Sequence, residues 1–442
     1  MTPAAGRSLG AGIVVAAPAS GAGKTMITIG LQRALRDRGL RIQGAKCGPD
    51  YLDPAFHEAA TGRPSINLDG FAMDAPLLQG LAARAASEND LVIAEGAMGL
   101  FDGARADDRS GASADVARLL GWPVLLVVDA RAAAQSVAAV AHGCATFPGA
   151  PPIAGVIVNR VASARHAAMV EEGFARLGLP LLGMVRADKS MEMPSRHLGL
   201  VQARETGELD SRIAAIGDHV GSQCDLDAIV KAAAPTKDAA CRPATIRPPG
   251  QRIAVARDSA FSFFYPHLAR WWRAAGAELC FFSPLADEAP PADCDACWLP
   301  GGYPELHAGR IATNARFLSG LRAFAADHPV HGECGGYMVL GRSLEDADGV
   351  VHAMADLLPV ETSFARRRMT LGYRKATLRE DTRFASAGQL LLGRQLLEIR
   401  ALRILASDGM PLADMADAQD QVLPPAGHRN GDVTGGFFHL IA

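Results

Sequence analysis

Apolar residues in this chain fall into short unbroken runs separated by helix-like, alanine-rich stretches. Ile13-Val-Val-Ala16, Leu91-Val-Ile-Ala94, Val124-Leu-Leu-Val-Val128 and Ile153-Ala-Gly-Val-Ile-Val158 are runs of the first kind. The spacing predicts helices over Met26–Arg38, which stops at Gly39, over Ala132–Ala145 and over Ser163–Leu177. Strands apolar on both faces that alternate with helices predict a parallel sheet covered on both sides, an α/β fold. The alternation fails from Lys231, where KAAAPTKDAACRPATIRPPGQ is rich in Ala, Pro and charge. It restarts with strands at Ile253-Ala-Val-Ala256, Cys280-Phe-Phe-Ser283 and Ala296-Cys-Trp-Leu299 and a helix over His267–Ala275. The expected organisation is therefore a first domain over 1–235, a linker over 236–250 and a second domain over 251–442.

Composition narrows the class. A chain of 442 residues exceeds the usual size of one core. A net charge of -3 gives no electrostatic footprint for nucleic acid or an anionic membrane. No apolar run approaches the roughly 20 residues of a membrane span. The N-terminus lacks the ordered regions of a signal peptide, and eight scattered cysteines read as reduced thiols, so a cytoplasmic location is expected.

The first candidate chemistry is Ala17-Pro-Ala-Ser-Gly-Ala-Gly-Lys-Thr25, which ends like a GxxxxGK[ST] phosphate loop but has Pro18 at the first glycine position. Strand, glycine-rich loop and helix follow one another as such a loop requires. Ser20, Gly21, Ala22 and Gly23 would offer backbone amides to phosphate, and Lys24 would reach the outer phosphates. A proline at the first position is tolerable, because that position sets the turn without bringing its own amide. Lys46-Cys-Gly-Pro-Asp-Tyr-Leu-Asp-Pro54 adds Asp50 and Asp53, and Leu91-Val-Ile-Ala-Glu-Gly-Ala-Met-Gly-Leu-Phe-Asp-Gly103 adds Glu95 and Asp102. Thr25, Asp50 and Glu95 form a hard-oxygen set suited to Mg²⁺ beside ATP. Asn159, ending another strand, could meet the adenine edge.

The second is His331-Gly-Glu-Cys-Gly-Gly-Tyr-Met-Val-Leu340, which puts Cys334 between a strand and a helix. Such an elbow exposes its central side chain, and a helix N-terminus favours the thiolate, as a nucleophile requires. Upstream, Leu299-Pro-Gly-Gly-Tyr-Pro-Glu305 could supply an oxyanion hole from the amides of Gly302 and Gly335. His439, in Gly435-Gly-Phe-Phe-His-Leu-Ile-Ala442, is the candidate base. The lone CxxC, Cys294 and Cys297, lacks a second pair for zinc and reads as core.

In this order the phosphate loop, KCGPDYLDP, EGAMGLFDG, LPGGYPE and ECGGYMVL resemble the cobyrinic acid a,c-diamide synthase family, glutamine-dependent amidotransferases of corrin biosynthesis. PSRHLGL from Pro194, ARDSAFSFFY from Ala256 and MTLGYR from Met369 add to the resemblance. It implies a first domain like dethiobiotin synthetase, a P-loop NTPase-like fold, and a second of the class I glutamine amidotransferase type. It further implies that ATP and Mg²⁺ activate the a and c carboxylates of the macrocycle as acyl phosphates. Tyr51, Leu52, Asp53 and Asp102 would then lie in the substrate and acyl-phosphate region. Cys334 and His439 would release ammonia from glutamine, and a homodimer, common in the family, is possible. Both cobyrinic acid and metal-free hydrogenobyrinic acid are substrates in such enzymes; the FFHLIA tail resembles those acting on the latter.

The chain departs from the pattern twice. Ile441 stands where class I domains commonly carry a glutamate two residues after the histidine, so the motif assigns no group to orient His439. Gly393-Arg-Gln-Leu-Leu-Glu-Ile-Arg-Ala-Leu402 replaces a segment like GHEFHYS. Two alternatives remain at this stage: a cobyric acid synthase amidating other corrin carboxylates, and a nucleotide-regulated binding protein with a decayed amidotransferase domain.

Overall fold

The computed structural model describes residues 10–104, 110–191, 195–196, 199–200, 209–237, 239, 246–364, 367–399 and 409–442. The chain divides into two compact units, Met1–Arg242 and Pro243–Ala442.

The first unit is built on a parallel sheet. Its strands are β1 (Ala11–Ala16), β2 (Ile42–Cys47), β3 (Ile66–Leu68), β4 (Leu91–Glu95), β5 (Val124–Asp129), β6 (Ile153–Val161) and β7 (Leu181–Arg186), in the order β3-β2-β4-β1-β5-β6-β7. Burial of β1 and β4 on both faces explains why they read as unbroken apolar runs, whereas β2, equally buried, carries Gln43 and Lys46 and gave no such run. Helix α1 (Lys24–Asp37) leaves β1 through the glycine-rich loop and packs Ile27, Leu31 and Leu35 into the core. Helix α2 (Leu52–Thr61) lies so close to β2 that a Cβ on Gly44 would meet His57 Cβ at 2.7 Å. That approach carries His57 into the sheet's interior.

The division between the units falls after Arg242, inside the expected linker over 236–250. Before that linker, helix Leu226–Ala232 is followed by Ala234–Pro235, which pairs antiparallel with Ala11 and Gly12 at the start of β1. The buried Trp122 indole donates to Thr236 Oγ1 at 3.0 Å, tying down the next residue as well. The Ala/Pro composition from Lys231 concealed this pairing, because two residues of it leave no periodic signal.

The second unit has a sheet of β8 (Arg252–Ala256), β9 (Glu278–Phe282), β10 (Ala296–Leu299) and β11 (Val330–Glu333), parallel in the order β9-β8-β10-β11. A second, antiparallel sheet contains β12 (Arg367–Leu378), β13 (Leu390–Ile399), β14 (Ala413–Asp417) and β15 (Val422–Ala426). Strand β16 (His428–Asn430) pairs with β17 (Val433–Gly436), which returns to lie parallel to β11, and β18 (Phe438–Leu440) closes the antiparallel sheet against β13. Helix α3 (Gly335–Leu340) follows β11 directly. Buried Trp272, Trp298, Tyr265 and Phe317 fill the core, and Cys294 and Cys297 are buried in it. All seven cysteines among the described residues are free thiols.

Candidate functional sites

The first site lies at the carboxyl ends of β1, β2 and β4, where loops from a parallel sheet converge. Gly21 and Gly23 have φ of +82° and +91°, a region that side-chain-bearing residues rarely adopt. A Cβ on Gly23 would also sit 2.1 Å from Asn159 Nδ2. The EGAMGLFDG loop is stitched to this one: Gly96 N donates to Val15 O at 2.8 Å and Leu100 N to Ala17 O at 2.7 Å. Lys24 directs its ammonium at the carbonyls of Met98 and Ala19, and burial with Lys46 nearby lowers its pKa. Ser20, Gly21 and Ala22 line an open cleft of about 660 Å³ bounded by Val128, Asp129 and Val140.

Glu95 is the centre of this site. It is 1% exposed. Its Oε1 accepts from Thr25 Oγ1 at 2.6 Å and from Lys46 Nζ at 3.0 Å, while Oε2 meets His57 Nε2 at 2.8 Å. His57 is held on its other side by Ser65 Oγ at 3.3 Å. Despite burial, Lys46 and the hydrogen bonds of His57 and Thr25 keep Glu95 ionised, with its pKa well below the carboxylate range. Lys46 also pairs with Asp53 at 2.5 Å. One cation between two buried carboxylates cannot neutralise both, so burial and the charge of Glu95 raise the pKa of Asp53.

Thr25 and Glu95 therefore meet as the sequence suggested. Against burial, Asp53 and Glu95 chiefly, with Asp50 beside them, raise the pKa of Lys46; Asp50 Oδ1 accepts from Leu52 N at 2.6 Å and Asp53 N at 3.2 Å at the start of α2. No three His, Cys, Asp or Glu side chains among the described residues could cage a metal by themselves. The hard oxygens of Thr25 and Glu95 nonetheless suit Mg²⁺ that arrives with phosphate oxygens of its own. Tyr51 precedes α2, Leu52 is buried in its first turn, and Asp102 Oδ2 accepts from Gly99 N at 2.9 Å.

Asn159 stands beside the phosphate loop. Its Nδ2 donates to Ala22 O at 2.9 Å and its Oδ1 accepts from Arg160 N at 2.9 Å, so it braces that loop. Arg160 joins it, donating to Gly21 O at 2.7 Å while paired to Asp129 at 2.7 Å. Lys46, His57 and Arg160 are the residues that sequence reasoning missed here. Lys46 sat in the KCGPDYLDP motif and Arg160 directly after Asn159, while His57 lay outside every motif.

The second site is the β11–α3 elbow. Cys334 occupies it with φ +46° and ψ -103°, a strained backbone that its amide helps fix by donating to Gly436 O at 2.8 Å. His439 lies on β18, opposite Arg394 of β13. Gly301 is where nucleophile and base converge: a Cβ there would lie 2.6 Å from His439 Cε1 and 3.2 Å from Cys334 Cβ. The proposed oxyanion donors also meet, since a Cβ on Gly335 would lie 3.1 Å from Gly302 N. Glu333 Oε2 is 3.9 Å from His439 Nδ1, and its Oε1 accepts from Leu440 N at 2.9 Å. Burial pushes the Cys334 thiol up to about 12 and lowers His439 to about 3, so the resting pair is thiol and neutral imidazole. Such a pair can pass a proton from sulfur to nitrogen when an electrophilic carbonyl arrives.

Residues 13–201 match the CobQ/CobB/MinD/ParA nucleotide binding domain, and residues 252–395 the CobB/CobQ-like glutamine amidotransferase domain. The chain is 50% identical to a hydrogenobyrinate a,c-diamide synthase of Mesorhizobium japonicum, over 97% of this chain and 98% of that one. An enzyme of the same name from Agrobacterium fabrum is 50% identical over 97% and 98% of the two chains. A third, from Rhodobacter capsulatus, is 53% identical over 98% of each. The amidotransferase match stops short of His439, which the fold returns to Cys334 through β18.

Proposed function

This chain belongs to the hydrogenobyrinate a,c-diamide synthase family, and from that premise we propose how its two units divide the reaction. It is a glutamine-dependent ligase that amidates the a and c carboxylates of hydrogenobyrinate with ATP. In the first unit the amides of Ser20–Gly23 and the Lys24 ammonium bind the triphosphate. Lys24 offsets charge on the γ-phosphoryl group as it passes to a substrate carboxylate oxygen, giving an acyl phosphate and ADP. Mg²⁺, held by Thr25 and Glu95 with Asp50 nearby, would supply charge neutralisation between the phosphates. Lys46 fixes Glu95 and Asp53, and Asp53 with Asp102, Tyr51 and Leu52 faces the activated acid.

In the second unit Cys334 Sγ attacks the glutamine carboxamide carbon while His439 takes the thiol proton. The oxyanion lies against the amides of Gly302 and Gly335. His439 returns the proton to nitrogen, ammonia leaves, and water hydrolyses the thioester to glutamate. Ammonia displaces phosphate from the acyl phosphate, and a second round amidates the other carboxylate. A homodimer is proposed by analogy with the family, and light scattering would test it.

The observation that carries the reading is the convergence of Cys334, His439 and the Gly301–Gly302 loop at one strained elbow. The test is incubation with hydrogenobyrinate, ATP, Mg²⁺ and glutamine, with the product read by mass for two exchanges of OH for NH₂. Cobyrinate in parallel reports substrate choice. Cys334→Ser should abolish product from glutamine and retain product from an ammonium salt. Unchanged glutamine use by this variant would sink the reading.

A further inference from the structure

For His439 to accept the thiol proton at Nε2, its Nδ1 must carry a hydrogen, and a group behind the ring must hold that tautomer. The residue two places after the histidine is Ile441, which can accept nothing through its side chain. We infer that Glu333, the residue immediately before the nucleophile, is the positioning residue for His439. The inference rests on the reading of Cys334 and His439 as the glutaminase pair.

Three observations carry it. Glu333 Oε2 lies 3.9 Å from His439 Nδ1, on the side of the ring that an orienting carboxylate must occupy. The other oxygen, Oε1, accepts from Leu440 N at 2.9 Å, so the same carboxyl group grips the strand that presents the histidine. Both side chains are sealed from solvent, Glu333 at 2% and His439 at 1% exposure. Their burial removes bulk water as a competitor for that contact. The gap exceeds a hydrogen bond, and catalytic contacts of this kind close to about 3 Å when substrate binds. Because Glu333 and Cys334 are neighbours in sequence, one turn of backbone sets both the nucleophile and the group that aligns its base.

The charges around the pair set the sign of the pH dependence. Arg394 on β13 disfavours an imidazolium at 439 and favours the thiolate, Glu305 disfavours the thiolate, and Glu333 itself faces both residues. Ionised Glu333 accepts the Nδ1 hydrogen and leaves Nε2 free as base. Protonated Glu333 would donate to Nδ1 and force the hydrogen onto Nε2, the unproductive tautomer. Burial pushes Glu333 up to about 8. Glutamine hydrolysis should therefore climb with pH as this carboxyl ionises, on a limb that belongs to residue 333.

Glu333→Gln tests this in the full chain, because its amide oxygen still accepts from Leu440 N and only the charge is removed. The expected result is a fall in kcat for glutamine hydrolysis of about 100-fold or more, with the ascending pH limb gone. Glu333→Asp should recover about tenfold over the glutamine variant and restore the limb. A glutamine variant within about threefold of the parent, with its limb intact, would overturn the inference and leave Glu333 a backbone support. If thermal unfolding shows that Glu333→Gln does not fold, the aspartate variant decides: a retained limb supports the role and a lost one overturns it. Ammonium-driven amidation and Cys334→Ser, run alongside, report separately on the underlying reading. Glutamine hydrolysis that survives loss of Cys334 sinks that reading, whatever Glu333 does.

Discussion

Gly301 offers the most direct test at the scale of single residues. A methyl group there would intrude on His439 Cε1 at 2.6 Å and on Cys334 Cβ at 3.2 Å, both in buried surroundings. Gly301→Ala should cost about 1–3 kcal/mol by overpacking. It should also suppress glutamine hydrolysis while ammonium-driven amidation persists, which parallel assays would reveal. Lys46→Met addresses the other site. It leaves Asp53 and Glu95 buried without their cation, a loss worth about 3–5 kcal/mol when a buried pair is broken. Product formation with either nitrogen source should then fail, and a lowered unfolding midpoint should accompany it. Much of this was legible in the sequence, because Lys24, Thr25, Glu95 and Cys334 sit in motifs whose spacing encodes their job. Lys46 and His57 were not, since their role depends on β2 and α2 meeting over Gly44. Glu333 was hidden for a different reason: next to a nucleophile, it read as part of the elbow.

At the scale of elements, β1, β4, β5 and β6 announced themselves because burial on both faces favours unbroken apolar runs, whereas β2 with Gln43 and Lys46, the three-residue β3 and the half-buried β7 did not. Nor did the antiparallel sheet of the second unit. Strand β12 reads RRMTLGYRKATL, with charges that fit no simple alternation, and β13 reads LLLGRQLLEI, a leucine pattern equally suited to a helix. Only pairing of β13 with β12 and β18 makes it a strand, and that pairing puts Arg394 opposite His439. The segment that departs from the family pattern thus borders the base itself; residues 400–402 of it lie outside the described part of the chain, as do 194, 197 and 198 of the PSRHLGL stretch. In the first unit, α2 is held against β2 only because residue 44 has no side chain. Gly44→Val should push His57 off Glu95 and cost about 1–3 kcal/mol. A reduced ammonium-driven rate with intact glutamine hydrolysis would be the signature.

At the scale of the whole molecule, no helix among the described residues is long and apolar enough to cross a membrane. Stability should depend on pH through buried imidazoles. Burial lowers His267 to about 4 and His331 to about 3, from an ordinary value of 6.5. At these two sites the unfolded chain binds protons that the folded one refuses, so their contribution to stability is full above 6.5 and is lost as pH drops through 6.5 towards 4. Each group contributes a slope of about 1.4 kcal/mol per pH unit in that window. Replacing His331 with Gln should remove about half of this pair's combined slope in denaturant titrations run between pH 4 and 7. An unchanged slope would show that His331 is not the group titrating.

The Ala234–Pro235 pairing with β1, and the Trp122 bond to Thr236, matter to anyone who would express the front half by itself. A gene fragment ending at Ala233 would discard the acceptor of a fully enclosed indole, and an orphaned donor of that kind costs about 1–3 kcal/mol. The same cut would strip the entry to the strand that feeds the phosphate loop. A fragment carried through residue 242 keeps both fastenings and is the one to clone.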